Sequence, residues 1–214
     1  MKRRWLLTLA ALLPFAAPAR AAPLVLTAQD QADIARVEVY MNALHTLKAR
    51  FLQVAADGNT AGGIAWLDRP GRMRFQYDPP SPLLLVAGHG LVVFHDAKLR
   101  QTSNFPLSST PLGLLLRENV KLSGDITLLA ISRQPGQLQV SVSSTNSPGD
   151  GNLTLVFADN PLALRQWIVV DSQRRETRVS LFDVELGGSF PQNLFTFIDP
   201  EFLAPGSNAN GVGH

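Results

Sequence analysis

The most regular hydrophobic pattern in the chain lies in residues 62–80 and predicts two antiparallel strands joined by a tight turn. Ile64 and Trp66 alternate in the first strand. The second strand alternates polar residues with Met73, Phe75 and Tyr77. A period of two places successive side chains on opposite faces of a sheet. Arg69-Pro70-Gly71 supplies the turn, so the hairpin should present one large apolar face that packs against another part of the molecule.

A different period, of three and four residues, predicts a helix over residues 30–53. Its apolar stripe consists of Ile34, Val37, Met41, Leu44 and Leu47. Alanines between these positions favour the helical conformation. We expect the stripe to pack against the concave face of the sheet, with a first strand beginning at residues 51–54.

Short alternating segments separated by turn residues account for most of the remaining chain. A second hairpin is predicted within residues 82–94, around Gly88-His89-Gly90. Further strands are predicted at 126–132, 137–144, 152–157, 164–170 and 176–184, with a weaker one at 194–198. This regular spacing predicts a meandering antiparallel sheet of about eleven strands.

Residues 105–119 have a different, leucine-rich composition. Ser109-Thr110-Pro111 is typical of a helix cap followed by proline at the first helical position. The short helix is apolar on nearly all sides because of Leu112, Leu114, Leu115 and Leu116. Such a helix is either deeply buried or covers an apolar opening, which suggests an open barrel with a lid. A barrel of this size can hold an apolar ligand, but periodicity does not distinguish a cavity from a filled core.

The first 21 residues have the pattern of a cleavable export signal. Three basic residues, Lys2, Arg3 and Arg4, precede an apolar run at 5–17 and a small-x-small site at Ala19-Arg20-Ala21. The alternative, a retained membrane anchor, requires a longer apolar run. We therefore expect a signal peptide at 1–21, a single domain at 22–205 and a disordered tail at 206–214.

The net charge, the absence of cysteine and the absence of catalytic motifs argue against several classes of function. Positions 1–21 contain four of the 19 basic residues, so 15 basic residues remain against 17 acidic ones and the net charge becomes −2. This balance gives no indication of nucleic-acid binding. The absence of cysteine excludes thiolate metal sites and lipid attachment to an N-terminal cysteine. No recognisable catalytic motif occurs, so we expect neither an enzyme nor a cofactor.

Several motifs occur in a characteristic order along the chain. They are Phe51-x-Gln53, G-x-x-W-x-x-R-P around Trp66, Thr110-Pro111 before the leucine-rich helix, and Phe195-x-Phe197-x-x-Pro200. In this order, with a signal peptide and no cysteine, the chain resembles the LolA family of periplasmic carriers of outer-membrane lipoproteins. The resemblance covers nearly the whole mature chain.

The resemblance implies a mainly β (α+β) fold, an incomplete and strongly curved antiparallel barrel with an N-terminal helix and short lid helices. It implies a soluble periplasmic monomer that receives acylated lipoproteins from the inner-membrane exporter LolCDE and delivers them to the outer-membrane acceptor LolB. LolB carries a lipidated cysteine, so the missing cysteine favours the carrier role. The residues expected to line the acyl cavity are Trp66, Met73, Phe75, Tyr77, Leu85, Val92 and Phe94.

Closure of that cavity is expected to involve Arg69, Leu112 and Leu115. The resemblance implies that Arg69 hydrogen-bonds the lid and keeps the empty cavity closed, a task that suits the five donors of a guanidinium. From the residues alone, Arg69 could equally be a solvated turn residue. The alternative function is a related periplasmic module that binds another lipid or senses a partner protein.

Overall fold

The computed structural model describes residues 25–199, and these form a long helix, eleven strands and several short helical turns. The long helix α1 comprises Ala28–Ala43 and the short helix α2 comprises Leu112–Leu115. The strands are β1 Thr46–Val54, β2 Thr60–Asp68, β3 Arg72–Tyr77, β4 Leu83–Gly88, β5 Leu91–Asp96, β6 Gln101–Pro106, β7 Ile126–Gln134, β8 Gln137–Ser144, β9 Gly151–Ala158, β10 Ala163–Asp171 and β11 Glu176–Leu186. The expected signal peptide (1–21) and tail (206–214) lie outside the described residues, and the domain boundaries stay a prediction.

All eleven strands belong to one antiparallel sheet, in the order β6-β5-β4-β3-β2-β1-β11-β10-β9-β8-β7. Each strand pairs with its neighbour in sequence, and the additional pairing of β1 with β11 joins the two halves. The sheet curls without closing, which leaves β6 and β7 as its two edges. The prediction of an incomplete, curved antiparallel barrel with about eleven strands is therefore confirmed.

The concave face of the sheet forms the apolar core because inward positions follow the period of two. In β1, Leu47, Ala49 and Phe51 are buried while Arg50 between them is exposed. Gly63 on β2 makes room for this packing, since a Cβ at that position would lie 2.1 Å from the backbone oxygen of Gln76 and 2.7 Å from the Phe51 ring. Glycine at 63 therefore lets the Phe51 ring lie directly against β2.

Helix α1 begins with a capping box and is held against the sheet by polar contacts. The Thr27 hydroxyl accepts from the backbone N–H of Asp30, and the Asp30 carboxylate accepts from the backbone N–H of Thr27. Farther along, the Tyr40 hydroxyl accepts from the backbone N–H of Leu164 at 3.0 Å. Asp33 is buried and bonded to Arg133 on β7 at 2.7 Å. The helix thus connects with both β7 and β10.

The helix prediction over 30–53 is wrong at its C-terminal end. Helix α1 ends at Ala43, Leu44 adopts an extended conformation as the C-cap, and β1 begins at Thr46. The apolar residues from Leu47 onward fit the period of two (Leu47, Ala49, Phe51). Leu47 also lies three residues after Leu44 and so fits the helical spacing. The predicted helix therefore extended beyond its true end.

Two further predictions need correction, although the number of strands is right. Strand β6 was not predicted, because its residues are mostly polar and exposed at the edge of the sheet. The weak strand predicted at 194–198 is absent: residues Gln192–Phe195 form a 3₁₀ turn on the outer face of the sheet. There Arg74 donates to the Leu194 carbonyl at 3.1 Å, and the Arg72 guanidinium lies 5.8 Å from the Phe195 ring centre.

The predicted cap of α2 is also only partly right. Pro111 occupies the N-cap position, and no side chain caps the helix there. The Thr110 hydroxyl instead donates to the Leu107 carbonyl, within the 3₁₀ turn Leu107–Ser109 that precedes α2. We refer to residues 107–117 as the α2 segment.

Candidate functional site

The concave face contains an apolar cavity of about 280 Å³, between the β3–β5 part of the sheet and strands β10 and β11. Most of its walls are aliphatic or aromatic. The lining residues are Gln53, Met73, Phe75, Tyr77, Leu85, Phe94, Leu112, Trp167, Val169, Asp171, Thr177 and Val179. An apolar concave site with few polar groups is the usual form of a small-molecule site, so a completely filled core does not describe this molecule.

An aromatic cluster forms part of the cavity wall. The Phe75 ring centre lies 4.6 Å from that of Phe51 and 5.9 Å from that of Trp167. Phe51 also meets Tyr77 edge to face at 5.2 Å. These are favourable aromatic geometries, and Phe75 and Trp167 belong to opposite halves of the sheet. The cluster therefore joins the two halves of the sheet across the cavity.

One end of the cavity is polar. The Tyr77 hydroxyl donates to Oε1 of Gln53 at 2.8 Å. Burial raises the pKa of Tyr77 to about 12, although the bond to Gln53 acts in the opposite direction. Nearby on β10, burial opposes ionisation of Asp171, but hydrogen bonds from Arg175 and Gln173 outweigh it and lower the pKa of that carboxyl. The end of the cavity thus has a neutral phenol, an amide and a paired carboxylate.

The opposite end is organised by Arg69, which follows β2 where β2 pairs with the start of β1. Arg69 is buried, with 6% of its surface exposed. Its Nη1 donates to the carbonyls of Met41 and Leu44 at the end of α1, and its Nη2 donates to the carbonyl of Arg117. Burial lowers the pKa of this guanidinium. The alternative interpretation of Arg69 as a solvated turn residue is therefore wrong.

The α2 segment is attached at the same end of the cavity. Leu114, Leu115 and Leu116 are buried, and Leu112 reaches the cavity lining. Besides the bond from Arg69 to Arg117, the backbone N–H of Gly71 donates to the Leu116 carbonyl at 2.9 Å. Arg69 and Gly71, which belong to one turn, thus both donate hydrogen bonds to the C-terminal end of the α2 segment.

A family comparison agrees with this geometry. The family model described as "Outer membrane lipoprotein carrier protein LolA" matches residues 42–198. The chain belongs to the LolA family. The resemblance drawn from the sequence motifs is confirmed.

Several relatives in the LolA family are named "Outer-membrane lipoprotein carrier protein". The one from Nitrosomonas europaea is 27% identical over 174 residues, which cover 77% of this chain and 84% of the relative. The one from Pseudomonas aeruginosa PAO1 is 28% identical over 188 residues, covering 81% and 86%. The one from Chromohalobacter salexigens is 29% identical over 190 residues, covering 83% and 89%.

A solved structure, that of the LolA superfamily protein NE2245 from Nitrosomonas europaea, matches 81% of this chain and 99% of that chain. The identity is 11% and the TM-score 0.44. The strand order described above, and not this distant likeness, establishes the fold.

Five of the seven residues expected to line the cavity of this LolA-family chain do so: Met73, Phe75, Tyr77, Leu85 and Phe94. Leu112, which was expected to take part in closure, also reaches the lining. Val92 is buried and pairs with Ala87, next to the lining but not part of it. Leu115 is completely buried in α2 and does not reach the cavity.

The placement of Trp66 in the lining is wrong. The register pairs Ala65 with Phe75 and Leu67 with Met73, so these smaller residues face the core and Trp66 lies opposite Arg74 on the outer face. Trp66 is half-buried there, whereas Ala65 and Leu67 are fully buried. Residues on both faces of β2 are apolar, so the pattern alone does not show which face points into the core.

The other half of the cavity was not predicted. It consists of Gln53, Trp167, Val169, Asp171, Thr177 and Val179. The alternation of Trp167, Val169 and Asp171 was visible in the sequence. The sequence did not show the pairing of β1 with β11, which brings the residues of β10 and β11 against Phe75. Gln53 lies on β1, outside the segments where lining residues were sought.

Two observations complete the description of residues 25–199. No helix in this range combines the length and apolar character needed to cross a bilayer. Side chains of the metal-binding types in this range do not gather in groups of three or more.

Proposed function

We propose that this protein carries acylated lipoproteins, whose acyl chains occupy the concave cavity while the α2 segment acts as a lid. The observation that carries this proposal is the apolar cavity itself, bounded at one end by a segment that the 69–71 turn attaches through hydrogen bonds. Membership of the LolA family and the names of the relatives support it.

The size of the cavity bears on the mechanism. A volume of about 280 Å³ lies at the lower limit of roughly 300 to 1,000 Å³ for drug-sized ligands. A cargo with two or three acyl chains therefore requires the cavity to expand. Displacement of the α2 segment would provide this space by breaking the bonds from Arg69 and Gly71 and the bond from the Leu107 N–H to the Gly90 carbonyl.

The energetics call for such a closing mechanism. Burial contributes about 0.8 kcal/mol per methylene, so acyl chains of ordinary length gain tens of kcal/mol in total. A carrier must also release its cargo. Opening the lid breaks the bonds from Arg69 and Gly71, and this cost offsets part of the gain from burial. Reformation of these bonds then favours release.

The wider cycle follows from the same proposal. The protein is a periplasmic monomer that the exporter LolCDE loads and that the acceptor LolB unloads, without catalysis, cofactor or nucleic acid. Export by a cleaved signal peptide at 1–21 is part of this proposal.

The test is a substitution at the centre of the aromatic cluster. Phe75→Glu places a carboxylate between Phe51 and Trp167, where an unpaired buried charge costs several kcal/mol. The variant should lose uptake of a fluorescent acyl probe. Phe182→Glu is the matched control, because Phe182 lies half-exposed on β11 outside the cavity lining, and it should bind like wild type.

A second measurement covers the case in which Phe75→Glu does not fold. Native mass spectrometry of wild-type protein from the periplasm should show co-purified lipopeptide. A folded Phe75→Glu variant that takes up the probe as wild type does, or a wild-type protein without any acyl ligand or probe uptake, would refute the proposal.

A further inference from the structure

Gln53 lies at the boundary between two spaces of opposite character. It lines the apolar cavity, and it also lines an adjoining cleft of about 560 Å³ at the ends of the β1–β2 and β3–β4 connections. Polar side chains of the cleft include Asp57, Asn59, Asp78 and Ser81. A bound amphiphile changes from acyl chain to polar head at such a boundary. Gln53 is near the end of β1, whereas Arg69 lies by its start, so this boundary is remote from Arg69.

The hydrogen bond between Tyr77 and Gln53 leaves specific capacity for a ligand. The bond uses the phenol hydrogen and the amide oxygen. It leaves the NH₂ group of Gln53 as a donor for a carbonyl, and a lone pair of the Tyr77 oxygen as an acceptor for an N–H. Because burial raises the pKa of Tyr77 to about 12, the phenol stays neutral at ordinary pH. The pair therefore offers one neutral donor and one neutral acceptor.

The charge of the surroundings restricts the ligand further. Among the described residues, those that line the cavity include one carboxylate, Asp171, and neither lysine nor arginine. Two arginines at this end are already paired: Nε of Arg175 donates to Asp171 at 2.8 Å, and Nη1 of Arg50 donates to Asp78 in the cleft at 3.0 Å. A phosphate at this end would meet a carboxylate and no available cation, and anionic groups bind best to charged donors. Ester and amide carbonyls need no charge.

We propose that Gln53 and Tyr77 form a binding site for the uncharged ester and amide groups that join the acyl chains to the head of the cargo. In this site Gln53 donates to an ester carbonyl and Tyr77 accepts from an amide N–H. The site selects a diacylglyceryl lipopeptide over a lipid with the same chains and a phosphate head. This inference rests on the proposed carrier function, and it specifies the class of cargo.

The experiment compares three ligands with identical acyl chains on the full mature chain. They are a diacylglyceryl-cysteinyl peptide, its dialkyl ether analogue without ester carbonyls, and phosphatidylglycerol. Wild type should favour the ester peptide over the ether by about 2- to 12-fold, the range of one neutral hydrogen bond. Phosphatidylglycerol should bind more weakly than both peptides.

Single substitutions test whether Gln53 and Tyr77 cause the preference for the ester peptide. Gln53→Leu should abolish the ester preference, because the donor to the ester carbonyl is lost. The Tyr77 hydroxyl loses its acceptor as well, so the readout is the ratio of the ester and ether affinities and not the affinity for either peptide alone. Tyr77→Phe keeps the ring and removes the acceptor, so the ester preference should survive and the affinity for both peptides should fall. Gln76→Leu is the matched control: Gln76 is exposed on the other face of β3, and its variant should behave like wild type.

The outcomes separate this inference from the carrier function. Equal binding of ester and ether peptides to wild type would overturn the site while leaving the carrier function intact. The site would also be overturned if a folded Gln53→Leu variant retained the ester preference, or if phosphatidylglycerol bound as tightly as the ester peptide. If none of the three ligands binds, the carrier function and the site are both wrong.

Discussion

Replacement of Arg69 by leucine tests whether the lid is held closed by hydrogen bonds. The three acceptors of the Arg69 guanidinium are backbone carbonyls, two at the end of α1 and one at Arg117. Of these three bonds, the one to Arg117 is the bond that Arg69 makes to the α2 segment. The substitution therefore affects two properties: the stability of the α1 end and the closed state of the lid.

The magnitudes follow from the number of bonds. A hydrogen bond from a charged donor contributes roughly 1.5 to 3 kcal/mol. Losing the bond to Arg117 should favour the open lid by about ten- to a hundredfold or slightly more. Losing the two bonds to α1 should lower the free energy of unfolding, and this loss is offset in part because leucine is cheaper to bury than a guanidinium. The bond from Gly71 to Leu116 remains in the variant.

The functional consequence is asymmetric. An empty cavity that is already open competes less well with the loaded state, so cargo should bind more tightly. Release should slow, because release requires the lid to close behind the departing chains. Two assays measure this difference: loading of a labelled lipoprotein from exporter-containing membranes, and transfer from the carrier to the acceptor. We expect loading to persist and transfer to fail.

Two variants serve as controls. Arg74→Leu removes another arginine whose burial lowers its pKa, but Arg74 donates to the Leu194 carbonyl on the outer face, so stability should fall without a change in transfer. Arg69→Lys should be intermediate, since an ammonium keeps the charge but loses the planar fork. If a folded Arg69→Leu variant loads and unloads like wild type, the α2 segment is not held closed by Arg69 and the reasoning is refuted.

Two further predictions concern ionisation and export. Tyr77 should ionise near pH 12 in an ultraviolet titration, and Tyr77→Phe should remove that transition. Because burial raises the folded pKa from 10.0 to about 12, the neutral phenol contributes fully to stability below pH 10. This contribution is lost as the pH rises to about 12. A titration unchanged by Tyr77→Phe would contradict the buried hydroxyl. Intact-mass measurement of periplasmic protein should place the mature N-terminus at Ala22, and a full-length species retained in the membrane would contradict the predicted cleavage site.

The sequence predicted the elements of the fold better than their boundaries, for identifiable reasons. Alternation marked β3 clearly because arginines separate Met73, Phe75 and Tyr77. Strand β2 was ambiguous because Ala65, Trp66 and Leu67 are all apolar, and only the register with β3 shows which residues face inward. Strand β6 has few apolar residues because an edge strand outside the core requires few.

Half of the cavity lining was predicted from the sequence, and the missed residues on β10 and β11 share one cause. Residues on β3, β4 and β5 were found because consecutive hairpins keep neighbours together. Trp167 and Val179 were missed because they reach the cavity through the pairing of β1 with β11, which no local pattern encodes. The bonds of Arg69 to Met41 and Leu44 likewise depend on where α1 ends, and the helical spacing misjudged that boundary.

The strand order also has a consequence for how the cavity comes into existence during folding. Strands β1–β6 and β7–β11 are two meanders whose pairings are all local, and such hairpins form early because short loops close at low entropic cost. The pairing of β1 with β11 brings together residues more than a hundred positions apart, such as Phe51 and Leu181. Phe75 belongs to the first meander and Trp167 to the second, so neither meander forms the cavity by itself. Before β1 pairs with β11, each meander exposes its part of the apolar cavity wall to water. The apolar surface that we propose to receive acyl chains is therefore the surface most prone to aggregation in the incompletely folded chain.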